Sequence, residues 1–144
     1  MRRLAVFLLS LCLTAPLFAA EAARPERKQA FGDVTVFYNA FSSSMLQAQV
    51  AADTGLTRSK QLGVLTVAVL KADKPGMAVV SGTVKDLTGR SSPLSFRQTS
   101  SQGAISYVAQ FKVEQAQRMV FDLDIETGGV SHSLSFNQDV FPGE

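Results

Sequence analysis

Cysteine is almost missing from this chain: one residue in 144, Cys12, lying in a stretch expected to be removed before the protein folds. The finished chain then has no thiol, which excludes a disulfide framework, a thiolate nucleophile and thiolate metal ligands. Histidine is as scarce, with His132 alone, so a triad or an imidazole metal site would lack the partners it needs. Charge of one sign is also lacking. The chain carries 14 basic and 12 acidic residues, and loss of Arg2 and Arg3 leaves the two signs balanced. A near-neutral chain has no basic footprint for nucleic acid. P-loop, GxSxG, HExxH, CxxC and dinucleotide-binding glycine patterns are absent as well. The sequence calls for no cofactor and no metal.

What is present begins with an export signal. Arg2 and Arg3 precede an apolar run, Leu4 to Leu13. Pro16 breaks it, and small residues follow at Ala19, Ala20, Ala22 and Ala23. That order is a secretory signal, and the run falls well short of the roughly 20 apolar residues of a spanning helix. Residues 1–20 are therefore expected to be removed, with cleavage near 19–22, leaving no transmembrane anchor and a periplasmic protein. Leu11 before Cys12 argues against a lipidated cysteine. Residues 21–30, with Arg24, Pro25, Glu26, Arg27 and Lys28, read as a flexible leader. Residues 31–144 are enough for one domain with one core.

Within that domain the apolar residues alternate. Val34, Val36 and Tyr38 share one parity, and Thr35, Phe37 and Asn39 the other, so the first strand is expected to be covered on both sides for part of its length. Ser42, Ser43 and Ser44 stop it, with Ser43 or Ser44 expected as a helix cap. A short helix is predicted from Met45 to Thr54, ending at Gly55 and docking by a Leu46/Val50 stripe. Leu62–Leu70 reads as a central strand. Met77–Leu87 follows, with Gly82 as a candidate bulge, then a short strand through Leu94, Phe96 and Gln98 with Pro93 at its start or edge. Ile105–Val113, Met119–Glu126 and Val130–Phe136 alternate most regularly, the last two joined at Thr127-Gly128-Gly129. About seven strands linked by short turns predict an all-β fold, an immunoglobulin-like antiparallel sandwich of two sheets with one short early helix.

The strings YNAF at Tyr38–Phe41, GLTRSK at Gly55–Lys60, SGT at Ser81–Thr83 and the closing strand Leu134–Phe141 resemble the DUF4426 family. These are short exported proteobacterial proteins, and the resemblance covers most of the mature chain. The family usually opens GDYTVHYNAF; here the string is GDVTVFYNAF, with Phe37 where the family has histidine. The resemblance implies a periplasmic immunoglobulin-like sandwich. It brings no activity, substrate or catalytic residue.

Three groups of side chains carry chemistry. His132 shares parity with Leu134 and Phe136, and without a supporting constellation it reads as a rim or core histidine. Asp122, Asp124 and Glu126 recur at period two opposite Phe121, Leu123 and Ile125, which makes them a solvated outer face; calcium would want a ligand loop that is not there. Arg58, Ser59 and Lys60 have two readings. They meet the dipole of the helix that ends at Gly55, or they form an anion patch in which Arg58 is a fork, Ser59 a hydroxyl donor and Lys60 a point charge. Tyr38 and Asn39 line the same place if the helix folds back; Asn39 is equally read as a buried amide tying strand to helix. The leading function is a non-enzymatic periplasmic binding or interaction module with an envelope protein as candidate partner, contacting through Tyr38–Lys60. The alternatives are a small anion or metabolite carrier using Arg58 and Lys60, and, less favoured, a hydrolase.

Overall fold

The structure, a computed structural model, describes residues 27–101 and 103–143. The expected signal and most of the leader lie outside the described residues. Ten strands, one turn of 3-10 helix and one short α-helix follow in order. The strands are β1 (Lys28–Phe31), β2 (Val34–Ser42), β3 (Leu62–Lys71), β4 (Lys74–Pro75), β5 (Val79–Lys85), β6 (Ser91–Leu94), β7 (Arg97–Ser101), β8 (Ala104–Lys112), β9 (Gln117–Thr127) and β10 (Val130–Val140). The 3-10 turn (Ser43–Met45) and α1 (Ala48–Thr54) sit between β2 and β3.

Two antiparallel sheets face each other. One runs β1-β2-β3-β8-β7 with β4 beside β3; the other runs β10-β9-β5-β6. The path β2-β3-β8-β7 against β10-β9-β5 is the A-B-E-D and G-F-C order of immunoglobulin sandwiches, with β6 added beside the C position. Alternation decides which face is inside. On β9, Met119, Phe121, Leu123 and Ile125 are buried while Asp122, Asp124 and Glu126 are exposed. On β3, Leu65, Val67 and Val69 are sealed in the core. Each such side chain contributes roughly 1.5–3 kcal/mol, so the interior holds without a covalent staple. At the β9–β10 hairpin, Thr127 pairs with Val130 across Gly128-Gly129, both left-handed at φ 59° and 78°, as a two-residue turn requires.

Several local expectations are corrected. Lys28–Phe31, placed mostly in the leader by sequence, pairs with β2 from Lys28↔Phe37 to Phe31↔Val34. The outer face of β2 is not covered: Phe37 and Asn39 are exposed. Leu94 and Gln98 do not share a strand. Leu94 ends β6 in one sheet and Gln98 lies on β7 in the other, because the chain crosses between layers at Ser95-Phe96. Gly82 is no bulge, since it pairs regularly with Leu94 and Leu123. A Cβ there would collide with the Asp122 carbonyl and come within 2.7 Å of Leu123 Cδ2, so glycine lets the two backbones approach. The helix is shorter than predicted. Ser42, not Ser43 or Ser44, caps the 3-10 turn, and α1 starts at Ala48 with no side-chain cap. Val50 is 42% exposed, and α1 turns Ala51 inward instead. Gly55 closes it at φ 68° as expected.

Candidate functional site

The two sheets meet along a seam where β2 faces β10. β1 covers the outer edge of β2 only as far as Tyr38, whose N–H donates to the Arg27 carbonyl (2.9 Å). Past that point Ala40 still has an N–H and a C=O to satisfy. Gln138, on β10 and 9% exposed, meets both. Its Oε1 accepts from Ala40 N–H (3.2 Å) and its Nε2 donates to the Ala40 carbonyl. A side-chain amide thus stands in for a neighbouring strand. Above this latch two ring pairs close the seam, Tyr38 on Phe136 (centroids 4.0 Å) and Phe31 on His132 (4.8 Å). Phe136 continues the stack inward to Phe121, which meets Phe111 edge-on.

Below the latch the chain is tied in a polar knot. Ser43 is fully buried; its Oγ accepts from Ser59 N–H and donates to the Ser59 carbonyl, both at 2.9 Å. The Ser42 and Ser44 hydroxyls bond each other at 2.9 Å. Gly143 N–H donates to the Lys60 carbonyl (2.8 Å), and a Cβ at Gly143 would overlap Ser44 Oγ, so only glycine passes there. The loop 55–61 is fastened twice more. Gln110 brackets Thr57, accepting from its N–H (3.0 Å) and donating to its carbonyl (2.7 Å), and Arg97 donates to the Gly55 carbonyl (2.9 Å) at the end of α1.

Between these ties the seam opens into a two-lobed groove. The upper lobe, 570 Å³, is lined by Arg27, Tyr38, Arg118, Asn137, Gln138, Asp139 and Phe141. The lower, 720 Å³, shares Arg27, Gln138, Asp139 and Phe141 and adds residues of 39–45 and 140–143. Arg118 and Asp139 pair across β9 and β10 (Nε–Oδ1 2.9 Å). The hydrogen bond from Arg118 holds the Asp139 carboxyl below its ordinary value, and the same bond raises Arg118. The Arg27 guanidinium donates to Asn39 Oδ1. Of the two tyrosines, Tyr107 accepts from Ala78 N–H through its hydroxyl (2.7 Å). The Tyr38 hydroxyl has no hydrogen-bond partner among the described residues.

Of the residues singled out from sequence, Tyr38 and Asn39 line this groove. Asn39 is exposed and bound to Arg27, not buried against the helix. Arg58, Ser59 and Lys60 line neither lobe. Ser59 is committed to Ser43 and, through its hydroxyl, to Gln61 N–H (3.2 Å). Arg58 and Lys60 extend from the exposed side of the loop, and the cation that meets the helix end is Arg97. His132 lies six residues up β10 from the latch, about 20 Å away by strand rise. Asp122 and Asp124 are exposed and accept from Ser135 and Ser133, and no three His, Cys, Asp or Glu side chains converge as metal ligands among the described residues. Sequence reasoning missed Arg27, Arg118, Gln138 and Phe141. Gln138 did leave a signal: a polar residue at the core parity of Leu134, Phe136 and Val140.

The model of the domain of unknown function DUF4426 matches residues 28–143. A solved DUF4426 protein of Pseudomonas aeruginosa PAO1 is 46% identical, with a TM-score of 0.77 over 83% of this chain and 97% of that one. FetP of uropathogenic Escherichia coli strain F11 shares the fold at TM-score 0.57. Its copper-bound variant is 11% identical over 78% of this chain and 92% of its own; FetP as isolated after expression in the E. coli periplasm is 10% identical over 81% and 94%. No curated protein matches the chain in sequence.

Proposed function

The chain belongs to the DUF4426 family, and from that premise we propose that it is a non-enzymatic binding module of the periplasm which takes its ligand in the seam between β2 and β10. One observation supports this reading above the others. The strand and loop beside the seam are fastened by buried polar groups, yet the seam itself stays open as a groove whose Tyr38 hydroxyl has no partner among the described residues. Pre-formed concavities with a few convergent polar groups on an apolar wall are the usual form of small-ligand sites.

The remaining observations agree with binding better than with chemistry. His132 packs against Phe31 and has no hydroxyl hydrogen-bonded to it among the described residues, while the serine–carboxylate pairs Ser133–Asp124 and Ser135–Asp122 lie on an exposed strand face outside the groove. No described helix is long and apolar enough to cross a membrane, and the arginine-led apolar N-terminus with its small-residue stretch supports export. The copper belongs to the FetP variant, and at 11% identity the likeness to it is one of fold alone. A carrier using Arg58 and Lys60 has less support, because neither lines the groove. The test is a fragment screen on the ¹⁵N-labelled mature chain. Bound fragments should move the amides of Tyr38, Asn39, Gln138 and Phe141. Fragments collecting instead on Asp122–Glu126 or around Arg58–Lys60 would overturn the reading.

A further inference from the structure

We propose that the upper lobe binds a small organic anion: a carboxylate or phosphate held between Arg27 and Arg118, on an apolar body laid against Tyr38 and Phe141. This rests on the groove reading above and names its ligand class. Two guanidiniums line the lobe against one carboxylate, Asp139, so its lining carries an excess of positive charge. Guanidiniums present planar forks of N–H donors that fit carboxylate and phosphate oxygens. Asp139 engages Arg118 through Nε and Nη2 only, and Arg27 spends one Nη1 bond on Asn39, so each fork keeps donors to spare. The Tyr38 hydroxyl adds a third donor. Its ring is already immobilised on Phe136, so recruiting it costs little order. Phe141, 62% exposed on the opposite wall, supplies an apolar face whose covering by a ligand is favourable. The lobe's volume lies within the range of small-molecule sites. Asp139 is a resident carboxylate in the place a ligand anion would take, and the incoming group competes with it for Arg118.

Titration calorimetry on the mature protein, with ¹H–¹⁵N spectra to locate binding, tests this with phenyl phosphate, benzoate, inorganic phosphate and the neutral benzyl alcohol as probes. Phenyl phosphate and benzoate should bind at the Tyr38 and Gln138 amides at least tenfold more tightly than benzyl alcohol. Inorganic phosphate should bind more weakly than phenyl phosphate, because it lacks the apolar body. Arg27→Ala and Arg118→Ala should each weaken phenyl phosphate about tenfold, the low end for a charge-assisted bond near solvent. Asp139→Asn should tighten it several-fold by removing the competitor, an effect that a purely structural role for the ion pair would not produce. Arg58→Ala and Lys60→Ala should leave it unchanged. Benzyl alcohol binding the groove as well as phenyl phosphate would overturn the anion while leaving the groove standing. No probe reaching the groove amides would overturn both, and inorganic phosphate matching phenyl phosphate would remove the apolar subsite and with it the proposal.

Discussion

Replacing Gln138 with alanine removes both hydrogen bonds to Ala40 and leaves a buried N–H and a buried C=O on β2 without partners. An orphaned buried polar group costs about 1–3 kcal/mol. The neighbouring groove gives water access to one side of the pair, so the sum should fall near 2–4 kcal/mol, a large share of the roughly 5–15 kcal/mol that holds a domain together. At this chain length the melting temperature should drop by about 8–16 °C. Urea unfolding gives the energy, and native-state hydrogen exchange gives its place: the Ala40 amide should lose protection while amides of β9, paired on both sides, keep theirs. Gln138→Glu sharpens the test. As a carboxylate it accepts from Ala40 N–H but faces the Ala40 carbonyl; protonated, it donates to that carbonyl and restores both bonds. Its folded pKa should rise above the ordinary value near 4.3. The penalty is therefore absent below that value and grows as pH rises towards the folded pKa. The variant should approach wild-type stability near pH 4 and be weakest at neutrality, while Gln138→Ala shows no such recovery. A loss under about 0.5 kcal/mol for Gln138→Ala, within the range of ordinary surface changes, or a pH-independent Gln138→Glu, would refute the latch.

Ser43→Ala strands the Ser59 N–H and carbonyl and should cost about 1–3 kcal/mol in urea unfolding; a neutral result would mean that loop 55–61 is held without it. Gly82→Ala drives a Cβ into the Asp122 backbone and should destabilise by about 1–3 kcal/mol as an overpacked site, whereas Gly129→Ala meets no atom and pays only for its left-handed backbone. The Asp86 carboxyl is held below its ordinary 3.8 mainly by the Thr88 hydroxyl, and Asp139 is lowered by Arg118. Both contributions are present above pH 3.8 and vanish as pH falls through the lowered folded values. Urea midpoints should therefore drop faster below pH 3.8 in the wild type than in Asp86→Asn. Tyr38→Phe keeps the stack on Phe136 and should leave the melting temperature unchanged while weakening phenyl phosphate.

The fold was legible because period-two alternation is a backbone property. Phe121, Leu123 and Ile125 against Asp122, Asp124 and Glu126 could only be a strand with one wet face, and Thr127-Gly128-Gly129 could only turn it back. What stayed hidden was where each strand lies relative to strands far away in sequence. Leu94, Phe96 and Gln98 alternate as if continuous, and nothing local reveals that the chain changes layers between them. The groove suffered in the same way. Tyr38 and Asn39 drew notice as part of a distinctive string, but their neighbours Arg27, Arg118 and Phe141 come from other parts of the chain and resemble ordinary leader, loop and tail residues. Arg58-Ser59-Lys60 stood out by composition alone, while the structural part of that loop is played by its backbone and by buried Ser43. Val50 and Ala51 show the limit of helical periodicity in a short helix, where one residue of phase error exchanges the buried side chain for the exposed one.

A crystal structure of the mature protein grown with phenyl phosphate would show directly where an organic anion sits. The phosphate should lie between the guanidiniums of Arg27 and Arg118, with the ring against Tyr38 and the Gln138–Ala40 latch intact. A phosphate seated at Arg58 and Lys60, with the seam left empty, would contradict that placement.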